Sequence, residues 1–79
     1  NKPVLVKVDN NLYKPGFVTS EDLKGIGLPG KVSVYLPHSY NFSGNVFITD
    51  KKNITSLSNP SSEVMKYIVS GGISGKIKV

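Results

Sequence analysis

The sequence predicts an α+β domain in which a small antiparallel sheet carries one carboxyl-terminal helix. Short segments of alternating apolar and polar residues recur along most of the chain, which is the pattern of half-buried strands. Turn-forming residues separate these segments at short intervals, as they do in hairpins. Near the carboxyl end the apolar period lengthens to that of a helix. The pattern leaves open whether the sheet stays open or becomes barrel-like.

The first two strands are predicted to form a hairpin. "KPVLVKVDNN" places Val4, Val6 and Val8 on one face, and Asp9–Asn11 supply the residues of a turn. "LYKPGFVTS" is then the returning strand. Because Pro15–Gly16 interrupts it, we expect this strand to be bent, bulged or at an edge of the sheet.

The middle of the chain is predicted to hold a loop and further strands. In "TSEDLKGIGLPGK", Thr19 is expected to cap a single helical turn, with Asp22 placed as in a capping box. "KVSVYLP" and "NVFITD" resume the alternation of strands. "KKNITSLS" adds one more strand after a turn at Asp50–Asn53.

"NPSSEVMKYIVSGG" predicts a helix from about Pro60 to Ser70. Asn59 is expected to be its N-cap, and Pro60 fits the first helical position. Gly71 is expected to end the helix in a left-handed conformation. The final "ISGKIKV" is either a short strand or a loose tail. The faces of all these elements predict a core of Val6, Val18, Val34, Val46, Ile48, Val64 and Ile68.

The composition restricts the chemistry. A chain of 79 residues forms one domain, here residues 1–79, and it has no run long and apolar enough for a membrane helix. Without cysteine and with one histidine, it has no disulfide framework and no structural zinc site. Its five acids are scattered rather than grouped for Mg²⁺ or Ca²⁺. We therefore expect no metal and no cofactor.

The charge balance is basic but diffuse. Ten lysines and no arginine give a net charge of +5, and the lysines are spread along the whole chain. Lysine suits weak contact with anionic lipid, whereas base-specific reading of nucleic acid relies on the arginine fork. The composition therefore disfavours nucleic acid as a partner.

His38 is the sole candidate for a general base. Ser39 and Ser43 are close in sequence, and Asp50 can approach across a hairpin. However, neighbouring residues on a strand point to opposite faces, and the chain has no Gly-x-Ser-x-Gly elbow. A small hydrolase that uses His38 is a further hypothesis, but no catalytic residue is predicted.

The stretch Pro37–Gly44 is predicted to be an ordered surface loop between two strands. Pro37 cannot donate to a sheet ladder, and Asn41 can bond to its own backbone. The remaining side chains are expected to project as a patch for lipid, another protein or membrane helices. The predicted binding residues are His38, Tyr40, Asn41 and Phe42.

Several short motifs resemble the DUF502 family, whose plant members are the continuous-vascular-ring (COV-like) proteins. "GFVT" corresponds to Gly16–Thr19, and a strand ending in a proline-containing loop corresponds to Val34–Gly44. The helix end "SGG" corresponds to Ser70–Gly72. The resemblance covers roughly residues 3–75. Within the loop, His38, Ser39, Tyr40 and Phe42 replace the family's threonines and later prolines.

The resemblance implies a setting rather than a chemistry. Members of this family are integral membrane proteins whose membrane helices precede a soluble carboxyl-terminal domain, and their activity is not established. The start at Asn1, without methionine, likewise leads us to expect a piece of a longer protein. The sequence therefore predicts a non-catalytic interaction or assembly domain of a membrane protein, with other subunits or the parent's membrane region as partners. The alternative is a basic OB-like module that binds single-stranded nucleic acid through lysines and rings.

Overall fold

The structure is a computed structural model that describes residues 2–79. Its elements are β1 (Lys2–Asp9), β2 (Leu12–Ser20), β3 (Lys31–Pro37), β4 (Gly44–Asp50), β5 (Ile54–Ser56) and α1 (Ser61–Val69), with short 3-10 helices at Lys24–Ile26 and Lys51–Asn53. The five strands form one antiparallel sheet in the order β4-β3-β2-β1-β5. The predicted α+β fold is confirmed, and the sheet is not closed into a barrel.

The sheet is strongly curled. Strands β4 and β5 lie at opposite edges, yet only Lys51–Asn53 separate them in sequence. In a flat sheet these edges would be about 19 Å apart, whereas four residue steps span at most about 14 Å. The curl encloses an inner face of Val4, Val6, Val18, Val32, Val34 and Leu36, all of which are buried.

The helix covers the outer face of the sheet. Val64 and Ile68 of α1 pack with Phe17 of β2 and with Leu57, which follows β5. Ile77 packs against the same cluster. The carboxyl-terminal segment is thus neither a strand nor a loose tail, and the carbonyl of Lys78 accepts a hydrogen bond of 2.7 Å from the N–H of Ser58.

Two members of the predicted core are exposed. Val46 and Ile48 retain 65% and 52% of their accessible surface, so their assignment to the core is wrong. They lie on the outer face of edge strand β4, whereas α1 contacts mainly β1, β2 and β3. The other predicted core residues are buried as expected: Val6, Val18, Val34, Val64 and Ile68.

The predicted N-cap of the helix is wrong by one residue. Pro60 holds the capping position with extended backbone, and its carbonyl accepts hydrogen bonds from Glu63 (3.0 Å) and Val64 (3.2 Å). Asn59 lies one residue earlier, and its buried Oδ1 has no hydrogen-bond partner within residues 2–79. Backbone geometry at Pro60, rather than a side-chain cap, begins this helix.

The predicted cap at Thr19 is also wrong. Thr19 belongs to β2, and its Oγ1 lies 2.7 Å from the Oγ of Ser33 on β3. Asp22 instead supports the next turn, because its Oδ1 accepts a 2.9 Å hydrogen bond from the N–H of Lys24. The hydroxyl of Thr19, which the sequence predicts to cap a helical turn, instead forms a hydrogen bond between two strands.

The carboxyl end of α1 confirms the prediction for Gly71. Gly71 has φ 71°, and its N–H bonds to the carbonyl of Ile68 at 3.1 Å. The N–H of Gly72 bonds to the carbonyl of Tyr67 at 2.7 Å. Together these two bonds form a Schellman motif, which satisfies carbonyls that the helix itself leaves unpaired.

Gly71→Val is therefore expected to destabilise the fold by about 1 kcal/mol or more, because a β-branched residue is strained at positive φ. A β-carbon there would also lie 2.9 Å from Cε2 of Tyr40. Urea denaturation measures the loss. Gly25→Val is the control, since its β-carbon would meet nothing within 4 Å. Equal stability of the two variants would contradict this helix end.

Candidate interaction surface

The loop between β3 and β4 caps the end of α1. The hydroxyl of Ser39 donates to the carbonyl of Ile68 at 2.8 Å. The N–H of Tyr40 donates to the carbonyl of Val69 at 2.8 Å, and its phenol donates to the carbonyl of Ser70 at 2.7 Å. Carbonyls in the last turn of a helix need partners from outside it. The loop therefore belongs structurally to the helix end.

Tyr40 is the anchor of this loop. Its backbone has φ 60°, which is uncommon for a residue other than glycine. The hydrogen bonds at its N–H and its phenol hold that conformation, and the ring lies against Gly71. Although much of the ring remains accessible, the side chain has a structural partner at its far end. A binding role for Tyr40 stays a prediction.

His38 and Asn41 form a hydrogen-bonded network inside the same loop. Asn41 Oδ1 accepts from both the N–H (3.0 Å) and the hydroxyl (2.8 Å) of Ser43. Because the Ser43 hydroxyl donates its hydrogen bond to Asn41, Ser43 Oγ accepts a hydrogen bond from His38 Nδ1, 2.8 Å away. His38 Nε2 then accepts from the side-chain amide of Asn45 at 3.2 Å.

This network gives His38 a scaffolding role. A general base needs a lone pair directed at the nucleophile and an acid that orients the ring. Here the N–H of His38 faces Ser43, and the second ring nitrogen faces the amide of Asn45. The geometry therefore supplies no activated serine at this position, and the absence of enzymatic activity stays a prediction.

Phe42 differs from the other predicted loop residues because its side chain is fully exposed. It leads directly into β4, where three consecutive apolar residues are also exposed. We call this set the β4 strip, which consists of Phe42, Val46, Phe47 and Ile48. Grouped exposed apolar residues, here on both faces of one edge strand, are typical of interaction sites.

The backbone of β4 has a free edge beside the strip. Two hydrogen bonds set the phase of the β3–β4 ladder, one from His38 N–H to Ser43 O (2.9 Å) and one from Lys51 N–H to Gly30 O (3.0 Å). Bonded and non-bonded pairs alternate in an antiparallel ladder. Alternate residues of β4 therefore direct N–H and C=O groups away from β3, and these are Gly44, Val46, Ile48 and Asp50.

Strand β4 lacks most of the features that protect an edge. Proteins usually blunt an edge strand with lysine, proline, a bulge or short length. Between Gly44 and Asp50 there is neither lysine nor proline, and the pairing with β3 runs without a register shift. The opposite edge, β5, has only three residues. The β4 edge is thus the one suited to accept a further strand.

A comparison with known families identifies the chain. The model of a protein family of unknown function, DUF502, matches residues 1–44. The chain belongs to the DUF502 family. The match extends from β1 to Gly44 and includes the loop that caps α1. For residues 45–79 of this DUF502 domain the resemblance depends on the short motifs alone. No curated protein and no solved structure matches the chain.

Two further findings describe the DUF502 domain. Within residues 2–79, none of the helices combines the length and apolar character that crossing a bilayer requires. In the same part of the chain, histidine and acidic side chains nowhere form a group of three that could hold a metal ion.

The carboxyl-terminal end of β4 is polar. Asp50 pairs with Lys31 on β3, and the hydrogen bond and charge of that ammonium hold the pKa of Asp50 below its ordinary value. On the inner face, a groove of about 470 Å³ opens beside Phe47 and is lined by Val6 and Leu36. Phe47 is thus an exposed residue at the border of the buried inner face of the sheet.

Sequence reasoning found Phe42 but missed the rest of the strip. Alternation in "NVFITD" is the same for an edge strand as for an interior one, so it placed Val46 and Ile48 in the core. The sequence carried no signal for the exposure of β4. A three-residue connection is typical of a hairpin, and the strand order that leaves β4 and β5 at opposite edges depends on pairing between distant residues.

Proposed function

We propose that this DUF502 domain is a non-catalytic interaction domain of an integral membrane protein, and that it assembles through the free edge of β4. The observation that carries the proposal is the unprotected edge with its apolar strip. A neighbouring polypeptide in extended conformation would supply partners for the N–H and C=O groups of Val46 and Ile48. This mode of recognition is β-strand addition, in which main-chain bonds give affinity and side chains give specificity.

The side chains of the strip add to this backbone recognition. Burying apolar surface stabilises a complex by roughly 25 cal/mol per Å² before the costs of association. Phe42 stands on an ordered loop, so its burial costs little conformational entropy. The binding patch predicted from the sequence thus narrows to Phe42, which His38, Tyr40 and Asn41 position through their hydrogen bonds.

Membership in the DUF502 family supports the membrane setting, because the members of that family are membrane proteins. The membrane helices would then lie outside residues 1–79. The sequence encoded upstream of Asn1 tests this part of the proposal. An upstream region without membrane helices would contradict it.

The alternative of an OB-like module for single-stranded nucleic acid has less support. Stacking on bases needs accessible rings beside grouped cations, and the ten lysines of this chain are spread along the sequence. Titration with a single-stranded oligonucleotide at low and high salt tests this alternative. Binding that weakens steeply with salt would favour it over the proposal.

Photo-crosslinking tests the proposed surface. We would replace Phe42 with p-benzoylphenylalanine in the complete gene product in its native membrane, and make the same replacement at the exposed Tyr13 as a control. An adduct with a protein is expected from position 42 and not from position 13. Ile48→Pro should abolish that adduct, because it removes an N–H that faces the free edge and leaves the β3 ladder intact.

Ile48→Ala is the matched control for this substitution. It removes most of the same side chain but keeps the N–H, so a weakened adduct is expected rather than none. Two outcomes would overturn the proposal: no protein adduct from position 42, or an adduct that Ile48→Pro leaves unchanged.

A further inference from the structure

We infer that the strand accepted by this edge is β4 of a second copy of the chain, paired antiparallel about a two-fold axis with Phe47 opposite Phe47. This inference rests on the proposed function and names the partner of the same surface. Closed two-fold pairs are the commonest protein assemblies, and they require a surface that is complementary to itself. The sequence of β4 meets that requirement in one register.

The apolar residues of the two strands face each other in this register. Val46 lies opposite Ile48 of the second copy on the outer face, and Phe47 lies opposite its own counterpart on the inner face. Asn45 lies opposite Thr49, so a polar residue faces a polar one. Directly opposed aromatic and β-branched residues are favourable pairs in antiparallel sheets.

The phase of the backbone agrees with this register. Val46 and Ile48 are the residues whose N–H and C=O groups face the free edge, and the register makes them bonded partners. Phe47 directs its backbone groups toward β3, so its pair across the axis is a non-bonded one. In such pairs the side chains approach most closely, which favours contact between the two rings.

The polarity of the opposed residues also favours this register over its neighbours. It places Asp50 opposite Gly44, Lys51 opposite Ser43 and Lys52 opposite Phe42, so no like charges face each other. An axis at Ile48 would instead set Val46 against the carboxylate of Asp50. An axis at Val46 would set Phe47 against the amide of Asn45.

Net charge sets the salt dependence of the pair. Each copy carries +5, so the two copies repel at long range and salt screens that repulsion. Self-association is therefore expected to strengthen as salt rises. Binding to a nucleic acid would show the opposite dependence.

Cysteine cross-linking tests the register. The chain contains no cysteine, so every disulfide reports an introduced thiol. Opposed residues of a non-bonded pair have α-carbons about 4.5 Å apart, which suits a disulfide. Phe47→Cys should therefore form a linked dimer by itself. Asn45→Cys mixed with Thr49→Cys should link as well, and this mixture keeps Phe47 intact.

The single variants provide the controls. Two copies of residue 45 would be about 14 Å apart, so Asn45→Cys alone and Thr49→Cys alone should form no disulfide-linked dimer. Asn10→Cys, in the exposed turn of the first hairpin, measures random collisions. The inference is overturned if the mixture links no more than Asn10→Cys does, or if Asn45→Cys links to itself.

The two proposals fail in different ways. If position 42 gives a photo-adduct with a different protein and the cysteine mixture gives no link, the edge binds another partner and this inference is wrong. If position 42 gives no protein adduct and the mixture does not link, both proposals are wrong. A photo-adduct of twice the mass of the complete gene product together with a linked mixture supports both.

Discussion

Phe17→Ala is expected to lower the free energy of unfolding by about 3–5 kcal/mol, as truncations of buried phenylalanine usually do. Phe17 is 3% exposed and contacts the helix residues Val64 and Ile68. Its loss leaves a cavity between the sheet and α1. Since a small domain has a stability of only about 5–15 kcal/mol, the variant should unfold at a much lower urea concentration.

Phe42→Ala is the matched control for this experiment. It makes the same chemical change at a side chain that is fully exposed. Substitutions at such surface positions usually change stability by no more than about 0.5 kcal/mol. Urea denaturation followed by far-ultraviolet circular dichroism measures both variants. If Phe42→Ala lowered the free energy of unfolding by as much as about 3–5 kcal/mol, Phe42 would have to pack in the core.

Gly16→Ala is expected to cost about 2 kcal/mol or more, because added atoms in a packed site force the backbone to shift. A β-carbon at Gly16 would lie 2.5 Å from the carbonyl oxygen of Tyr35 and 2.5 Å from Cδ2 of Leu36. Glycine is therefore required where β2 approaches β3 within the curl. The cost is steric, since Gly16 is not among the glycines with positive φ.

Gly25→Ala controls for the general effect of exchanging glycine for alanine. Its β-carbon would have no neighbour within 4 Å. We expect this variant to keep the wild-type midpoint of thermal unfolding. If Gly16→Ala also kept that midpoint, the close approach of β2 to β3 would not exist in solution.

Local patterns predicted the elements well. Alternation located β1 to β4, and the glycine pair at Gly71–Gly72 located the end of α1 within one residue. These features depend on residues that are neighbours in sequence, for which period and backbone preference suffice. The N-cap at Asn59 failed because a proline next to it could satisfy the same backbone geometry.

Features that depend on distant residues could not be predicted. The alternation of apolar residues in β4 does not indicate where α1 will pack. Because α1 lies over β1 to β3, Val46 and Ile48 are left exposed. Likewise, the bond from Tyr40 to Ser70 joins residues 30 positions apart. The loop patch was predicted from local exposure. Hydrogen bonds within the loop engage His38 and Asn41, and bonds to the end of α1 engage Tyr40, which distinguishes these residues from Phe42.

Amide hydrogen exchange at β4 tests the assembly surface most directly. In dilute monomer, the N–H groups of Val46 and Ile48 face solvent and should exchange fast, whereas those of Asn45 and Phe47 bond to β3 and should be protected. In the assembled protein, Val46 and Ile48 should become protected to the same degree as Phe47. Fast exchange of both amides in the assembled protein would contradict strand addition at this edge.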